Sequence, residues 1–295
     1  MAGGFRIIGH RGARGLFPEN TLEGFQGAWA LGVRAFELDV GLTRDGVAVV
    51  AHDPVLNPDL TRDAAGAWLP GPGPAIHALT AAELAGFDVG RLRPGSRAAG
   101  LFPRQRPHDG ARVPDLAAVL AALPAAEWII EIKTDPTRPD LTAPPDLLAD
   151  AVLTQIDRAD AAARVVVESF DWRIQAYVRR VRPDIGLAYL TRPDAPADPW
   201  WAGIDPADHG GSVPACVAAA GPAGCAWAPA FAQLTRAALR EAHALGLAVL
   251  PWTVNAPADM RRLIGWGVDG IITDDPDILA AVTAAAGNST TPTRG

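Results

Sequence analysis

The chain has 295 residues, 49% of them hydrophobic, which is ample for a full core and excludes disorder as the main state. By length it is either two ordinary domains or one large α/β barrel. It carries 26 basic and 33 acidic residues, a formal charge of −7, the wrong sign for non-specific nucleic-acid binding.

No apolar run reaches the roughly 18 residues of a membrane span. The N-terminal stretch, Met1-Ala2-Gly3-Gly4-Phe5-Arg6, lacks the basic and apolar regions of a secretion signal. Cys216 and Cys225 are too few for a disulfide framework. Free thiols, a reduced cytoplasmic setting and no stable membrane association are therefore expected.

In chain order, short β-rich runs alternate with longer helical ones. Predicted strands are Arg6–Gly9, Ala35–Leu42, Val47–Ala51, Trp128–Lys133, Val165–Phe170, Ile185–Leu190, Ala226–Ala228, Leu247–Trp252 and Gly270–Thr273. Helical segments between them include Leu22–Leu31, Leu116–Leu123, Asp146–Ala159, Ile174–Val181, Arg236–Leu245 and Ala258–Trp266. Repeated strand–helix units argue for a parallel sheet. Eight of the nine strands can close as the staves of one barrel. The ninth, Val47–Ala51, follows Asp45-Gly46, a hairpin signal, and should fold back beside its predecessor.

The first helix is predicted to start at an Asn20 N-cap, with Glu23 completing a capping box and Gly32 just past the end. Leu22, Phe25 and Trp29 recur at helical spacing and should pack on the sheet. Residues 54–112 are rich in Pro and Gly, with one short helical candidate at Ala81–Ala85. They read as an insertion over one barrel mouth, inside a single domain spanning residues 1–295. The last eight residues, Asn288–Gly295, read as a frayed tail.

The chemistry begins on Ala35–Leu42. Side chains alternate along a strand, so Phe36, Leu38, Val40 and Leu42 share one face while Glu37 and Asp39 share the other. In a barrel the apolar face meets the helices and both acids point into the mouth. Burying two neighbouring carboxylates costs several kcal/mol unless a cation sits between them. A hard divalent ion such as Mg²⁺ or Ca²⁺ suits carboxylate oxygens. An exposed edge strand with solvated acids is the alternative. Trp128–Lys133 adds Glu131 and Lys133 on one face of an otherwise apolar strand. There Glu131 supplies a third carboxylate and Lys133 a cation for an anionic substrate; a plain surface pair is the alternative. Strand C-terminal ends hold the active sites of barrel enzymes.

Two histidines end neighbouring strands, His10 in Gly9-His10-Arg11-Gly12 and His52 in Ala51-His52-Asp53. Paired imidazoles can divide general-base and general-acid work near neutral pH. Arg11 can hold a phosphate by a charge-assisted fork. Asp53 either orients His52 or caps a turn. Glu168 and Phe170 share a face at another strand end. Phe102, Trp68 and His108 are candidate lid residues. His77, His209 and His243 carry no motif and are expected to be structural or on the surface.

Taken in order, Gly9-His10-Arg11-Gly12, Pro18-Glu19-Asn20-Thr21, Glu37-Leu38-Asp39-Val40, Thr43-Arg44-Asp45-Gly46 and His52-Asp53 resemble the N-terminal motifs of the glycerophosphodiester phosphodiesterase family. Further matches are Glu131-Ile132-Lys133, Ser169-Phe170-Asp171, Trp252-Thr253-Val254-Asn255 and Gly270-Ile271-Ile272-Thr273-Asp274. The resemblance implies a TIM (β/α)8 barrel with a small insertion after the second-strand hairpin. It implies a divalent-metal phosphodiesterase releasing sn-glycerol 3-phosphate and an alcohol from a small glycerophosphodiester. Glu37, Asp39 and Glu131 match metal ligands, and His10 and His52 match the acid–base pair. Arg11 and Lys133 match phosphate-binding positions, while Glu19 and Asn20 would shape the floor of the site. Trp252 is a candidate wall over the glycerol carbons, or an ordinary core aromatic. A related barrel phospholipase and a non-catalytic metabolite-binding barrel are the competing readings.

Overall fold

The computed structural model describes residues 4–193 and 197–288. The strands are β1 (Arg6–His10), β2 (Ala35–Leu42), β3 (Ala48–Val50), β4 (Glu127–Ile132), β5 (Val165–Ser169), β6 (Gly186–Thr191), β7 (Ala226–Pro229), β8 (Ala248–Val249) and β9 (Gly270–Thr273). The helices begin with α1 (Leu22–Ala30), α2 (Ala81–Leu84), α3 (Arg97–Leu101), α4 (Leu116–Ala122), α5 (Pro145–Arg158) and α6 (Trp172–Val181). They continue with α7 (Ala197–Trp200), α8 (Val213–Ala220), α9 (Arg236–Ala244), α10 (Pro257–Trp266) and α11 (Pro276–Asn288). Apart from Asn288, the expected C-terminal tail lies outside the described residues.

Parallel pairing runs β8-β7-β6-β5-β4-β2-β1-β9. Backbone bonds from Asp269 N to Val249 O, Ile272 N to Pro251 O and Val254 N to Ile272 O bring β8 and β9 together across the seam. The result is a nearly closed barrel of eight parallel strands with helices between them, as the strand–helix alternation predicts. β3 lies antiparallel to β2, the expected hairpin.

Period-two alternation sorts the strand residues into two cores. Outward-facing Phe36, Leu38, Val40 and their neighbours pack under the helices. Phe25 of α1 meets both Phe36 and Trp128 edge-on, at 5.7 and 5.3 Å, contacts that add roughly 0.5–1.5 kcal/mol each beyond burial. Inward-facing Ile8, Ala35, Ile129, Val166, Ala188, Ala226, Leu250 and Ile272 form one apolar layer across the barrel axis. That layer is the floor on which the polar residues stand.

Two local expectations are corrected. The N-cap of α1 is Thr21, which accepts from Gly24 N, and not Asn20. Asn20 has a left-handed backbone (φ 55°) and gives its amide to Asp39 instead. The insertion holds more helix than the single candidate: α2, α3 and a short 3₁₀ turn at Ile76–Ala78. A small core of Val49, Leu56, Ile76 and Leu84 ties it to the hairpin, and Arg104 pins it to the barrel through Asp275 and Asp277.

Candidate active site

One step above the apolar floor, the next inward residue is His10 on β1, Glu37 on β2, Glu131 on β4 and Glu168 on β5. Strand register aligns them: His10 opposite Glu37, then Asp39 opposite Glu131 and Glu131 opposite Glu168. All five are buried. Glu37, Glu131 and Glu168 each offer an oxygen within 4.8 Å of the others, a spacing that one metal ion could bridge.

Asp39 sits beside this group with a different set of partners. Asn20 Nδ2 donates to its Oδ2 at 2.8 Å, Arg11 Nε lies 3.2 Å from that oxygen, and Lys133 Nζ lies 3.3 Å from Oδ1. Lys133 also donates to Glu131 at 2.9 Å. Arg11 donates through NH1 to Glu19 at 2.8 Å and through its backbone N to Glu37 at 3.1 Å. The loop that carries Arg11 is tight. Arg11 and Gly12 both have positive φ, and a Cβ on Gly9 would lie 1.9 Å from the Gly12 carbonyl oxygen.

Each histidine is backed by a carboxylate that an asparagine holds. His10 Nδ1 is 2.5 Å from Asp274 Oδ1, and Asn255 Nδ2 donates to Asp274 Oδ2 at 2.7 Å. Arg14 Nε donates to the same Asp274 at 3.0 Å. His52 Nδ1 is 2.7 Å from Asp53 Oδ1, and Asn57 Nδ2 donates to Asp53 Oδ2 at 2.7 Å. A proton held on Nδ1 by the carboxylate leaves Nε2 of each ring for chemistry.

Burial pulls His10 down to about 4, against the pull of Asp274, and so keeps it neutral at physiological pH. His52 is lowered by burial and by the nearby Lys133 and Arg11. Burial, with Asp39 and Glu168 nearby, lifts Glu37 well above the usual carboxylate range. Burial pushes Glu131 up to about 7 despite Lys133, and raises Glu168 strongly with Glu131 adding to it. Asp39 goes the other way, because Arg11, His52 and Lys133 outweigh its burial.

A cavity of about 450 Å³ opens over this cluster. His10, His52, Arg11, Lys133, Glu37, Glu131 and Trp252 all line it, so the barrel gathers these predicted residues at one mouth. Phe170 and Trp252 meet edge-to-face at 5.4 Å on its apolar side. Glu168 lines it too, as the shared strand face suggested. Glu19 and Asn20 sit behind it, on a smaller cavity beside His52, where they hold Arg11 and Asp39. The lid expectation is not met. Phe102 lies under the Arg14 guanidinium, Trp68 packs near Arg62, and neither they nor His108 line the cavity. The insertion reaches it through Pro54, Ile76 and the half-buried His77. Asp274, Asn255, Asn57 and Arg14 carry no expected role, although Asn255 and Asp274 fall in motifs that match the family and Asp274 follows Ile272 inward as His10 follows Ile8.

The family model for the glycerophosphoryl diester phosphodiesterase family matches residues 10–278, nearly the whole chain. The chain belongs to this family. It is a phosphoric diester hydrolase, which sets aside the non-catalytic barrel. A glycerophosphodiester phosphodiesterase of Bacillus subtilis is 28% identical over 93% of this chain and 85% of its own length. A solved structure from Silicibacter pomeroyi, whose name carries the same family term, is 39% identical over 97% of this chain and 95% of its own, with a TM-score of 0.86. An Oleispira antarctica phosphodiesterase, solved with the product sn-glycerol-3-phosphate, shares the fold at a TM-score of 0.68 and 20% identity over 95% of this chain and 96% of its own.

Proposed function

We propose that this chain hydrolyses small glycerophosphodiesters to sn-glycerol 3-phosphate and an alcohol, with a divalent cation and the pair His10 and His52. The observation that carries the reading is one cavity faced by two imidazoles, each held by its own carboxylate, over a cluster of buried acids. The donor set favours a hard ion such as Mg²⁺ or Ca²⁺ because it is all carboxylate, and because Asp39 Oδ1 and Glu168 Oε2 are buried without hydrogen-bond partners. Glu37, Asp39 and Glu131 would hold it, and the ion would neutralise one non-bridging phosphoryl oxygen.

The protein's own groups do the rest. Lys133 lines the cavity and can donate to another phosphoryl oxygen. His10, neutral at working pH, takes the proton of the glycerol 2-hydroxyl at Nε2, and Asp274 stabilises the imidazolium that forms. The 2-hydroxyl oxygen bonds to phosphorus as the bond to the departing alcohol breaks. His52 gives that alcohol its proton. Water then opens the cyclic phosphate with the two roles reversed. Phe170 and Trp252 would line the carbon side of the substrate. The reading takes residues 1–295 as one catalytic domain. It fits a cytoplasmic setting, since Cys216 and Cys225 are both buried free thiols.

The test is turnover of glycerophosphocholine, glycerophosphoethanolamine and glycerophosphoglycerol with added Mg²⁺, Ca²⁺ or Mn²⁺ and with chelator. Release of sn-glycerol 3-phosphate only with metal is expected. Full turnover in chelator would remove the metal from the reading.

A further inference from the structure

Glu168 is the one acid of the cluster that the family motifs leave without a role. Its side chain stands on the inward face of β5 in register with Glu131, is 1% exposed and lines the cavity. Its neighbours in the cluster are all engaged. Arg11 N donates to Glu37, Asn20 donates to Asp39, and Lys133 donates to Glu131. Glu168 has no ion pair among the described residues, and its Oε2 is buried without a hydrogen bond. A buried carboxylate oxygen without a partner is unfavourable when ionised, and a bound cation is the kind of ligand that would let it ionise there.

Charge points to which ligand. Glu37, Asp39, Glu131 and Glu168 bring four carboxylates together against Lys133 and an Arg11 that Glu19 already shares, an excess of negative charge that a divalent cation offsets. Distance agrees, since Glu168 places an oxygen within 4.8 Å of ligand oxygens of both Glu37 and Glu131. Asp39 cannot take this part alone, because Arg11 and Asn20 already occupy its Oδ2. We propose that Glu168 is a direct ligand of the divalent cation, a fourth carboxylate beside Glu37, Asp39 and Glu131. The assignment rests on the reading of the site as metal-dependent.

The test measures metal binding, not turnover. The full-length protein, stripped with chelator, is titrated calorimetrically with Mn²⁺ alone, and thermal unfolding is followed with and without the ion. Glu168→Gln removes the charge at constant shape. Glu168→Asp keeps the charge but draws the carboxylate back by one methylene. Direct ligation predicts that both variants fold and lose affinity by at least about tenfold, with a matching loss of metal-induced thermal stabilisation. Wild-type affinity in either variant overturns the assignment. Loss in Glu168→Gln with retention in Glu168→Asp means that Glu168 acts only through its charge. If Glu168→Gln does not fold, Glu168→Asp decides. If the wild-type chain binds no Mn²⁺, the metal-dependent reading itself falls, an outcome distinct from failure at Glu168 alone.

Discussion

His10 Nδ1 lies 2.5 Å from Asp274 Oδ1, although 264 residues of chain separate them. The contact exists because β1 and β9 are neighbouring parallel strands, so their C-terminal ends meet at the same mouth. Asn255 holds the other oxygen, Oδ2, and the Arg14 guanidinium spans both, donating from Nε to Oδ1 and from NH2 to Oδ2. Asp274 is thus a positioning residue for the imidazole. Asp274→Asn is expected to lower kcat by at least about 100-fold with little change in KM, since it disturbs ring orientation and proton placement but not substrate contact. A kcat within a factor of about three of wild type would deny it that role.

His10→Ala and His52→Ala should each lower kcat by at least roughly 100-fold. His10 holds its proton only down near pH 4, so as a base it stays competent through the mildly acidic range. The kcat/KM profile of the wild type should be bell-shaped, and each variant should lose one limb. Near wild-type turnover of a diester with a poor leaving alcohol by either variant removes that histidine from the chemistry.

If the glycerol 2-hydroxyl is the nucleophile, as proposed, it matters more than the head group. Glycerophosphocholine and glycerophosphoethanolamine should both be cleaved. A 2-deoxy analogue should bind yet turn over poorly, because it forfeits the effective molarity of a tethered nucleophile, several kcal/mol on the usual scale. Equal kcat for diester and analogue at saturation would mean that water attacks directly.

Without metal, Glu131 couples folding to pH. Its folded value of about 7 lies above the ordinary 4.5, so the native state holds the proton more tightly than the unfolded state. The resulting stability is fully present below pH 4.5 and is lost as pH rises through 7. Glu131→Gln lacks this term. In chelator the variant should therefore gain on the wild type as pH rises between those two values. Thermal unfolding of both proteins at several pH values measures the gap. A gap that does not change with pH contradicts the coupling.

Gly9 tests the loop that aims Arg11. A methyl at this position meets the Gly12 carbonyl oxygen, a backbone atom that cannot swing aside. Gly9→Ala should cost at least about 2 kcal/mol of stability in chemical denaturation, the scale of an overpacked core. Loss of well under 1 kcal/mol would show that the loop adapts.

The sequence alone determined whatever depends on local periodicity. Side chains alternate along any strand, so the shared faces of Glu37 with Asp39 and of Glu131 with Lys133 were legible before any strand had a neighbour. The strand–helix alternation likewise pointed to a parallel sheet, whereas its near closure rests on the backbone bonds between the β8 and β9 segments. Tertiary structure decided what depends on contacts between distant segments. By propensity Asn20 is a better N-cap than Thr21; Thr21 caps α1, while the Asn20 amide goes to Asp39 on a separate strand. The Pro- and Gly-rich insertion has no period to read, so only its packing against the hairpin shows that His77 reaches the cavity while Phe102 and Trp68 do not. Asp274 gained its role in the same way, from the β1–β9 pairing that sets it against His10, because periodicity reports which way a side chain points and only the fold reports what it meets there.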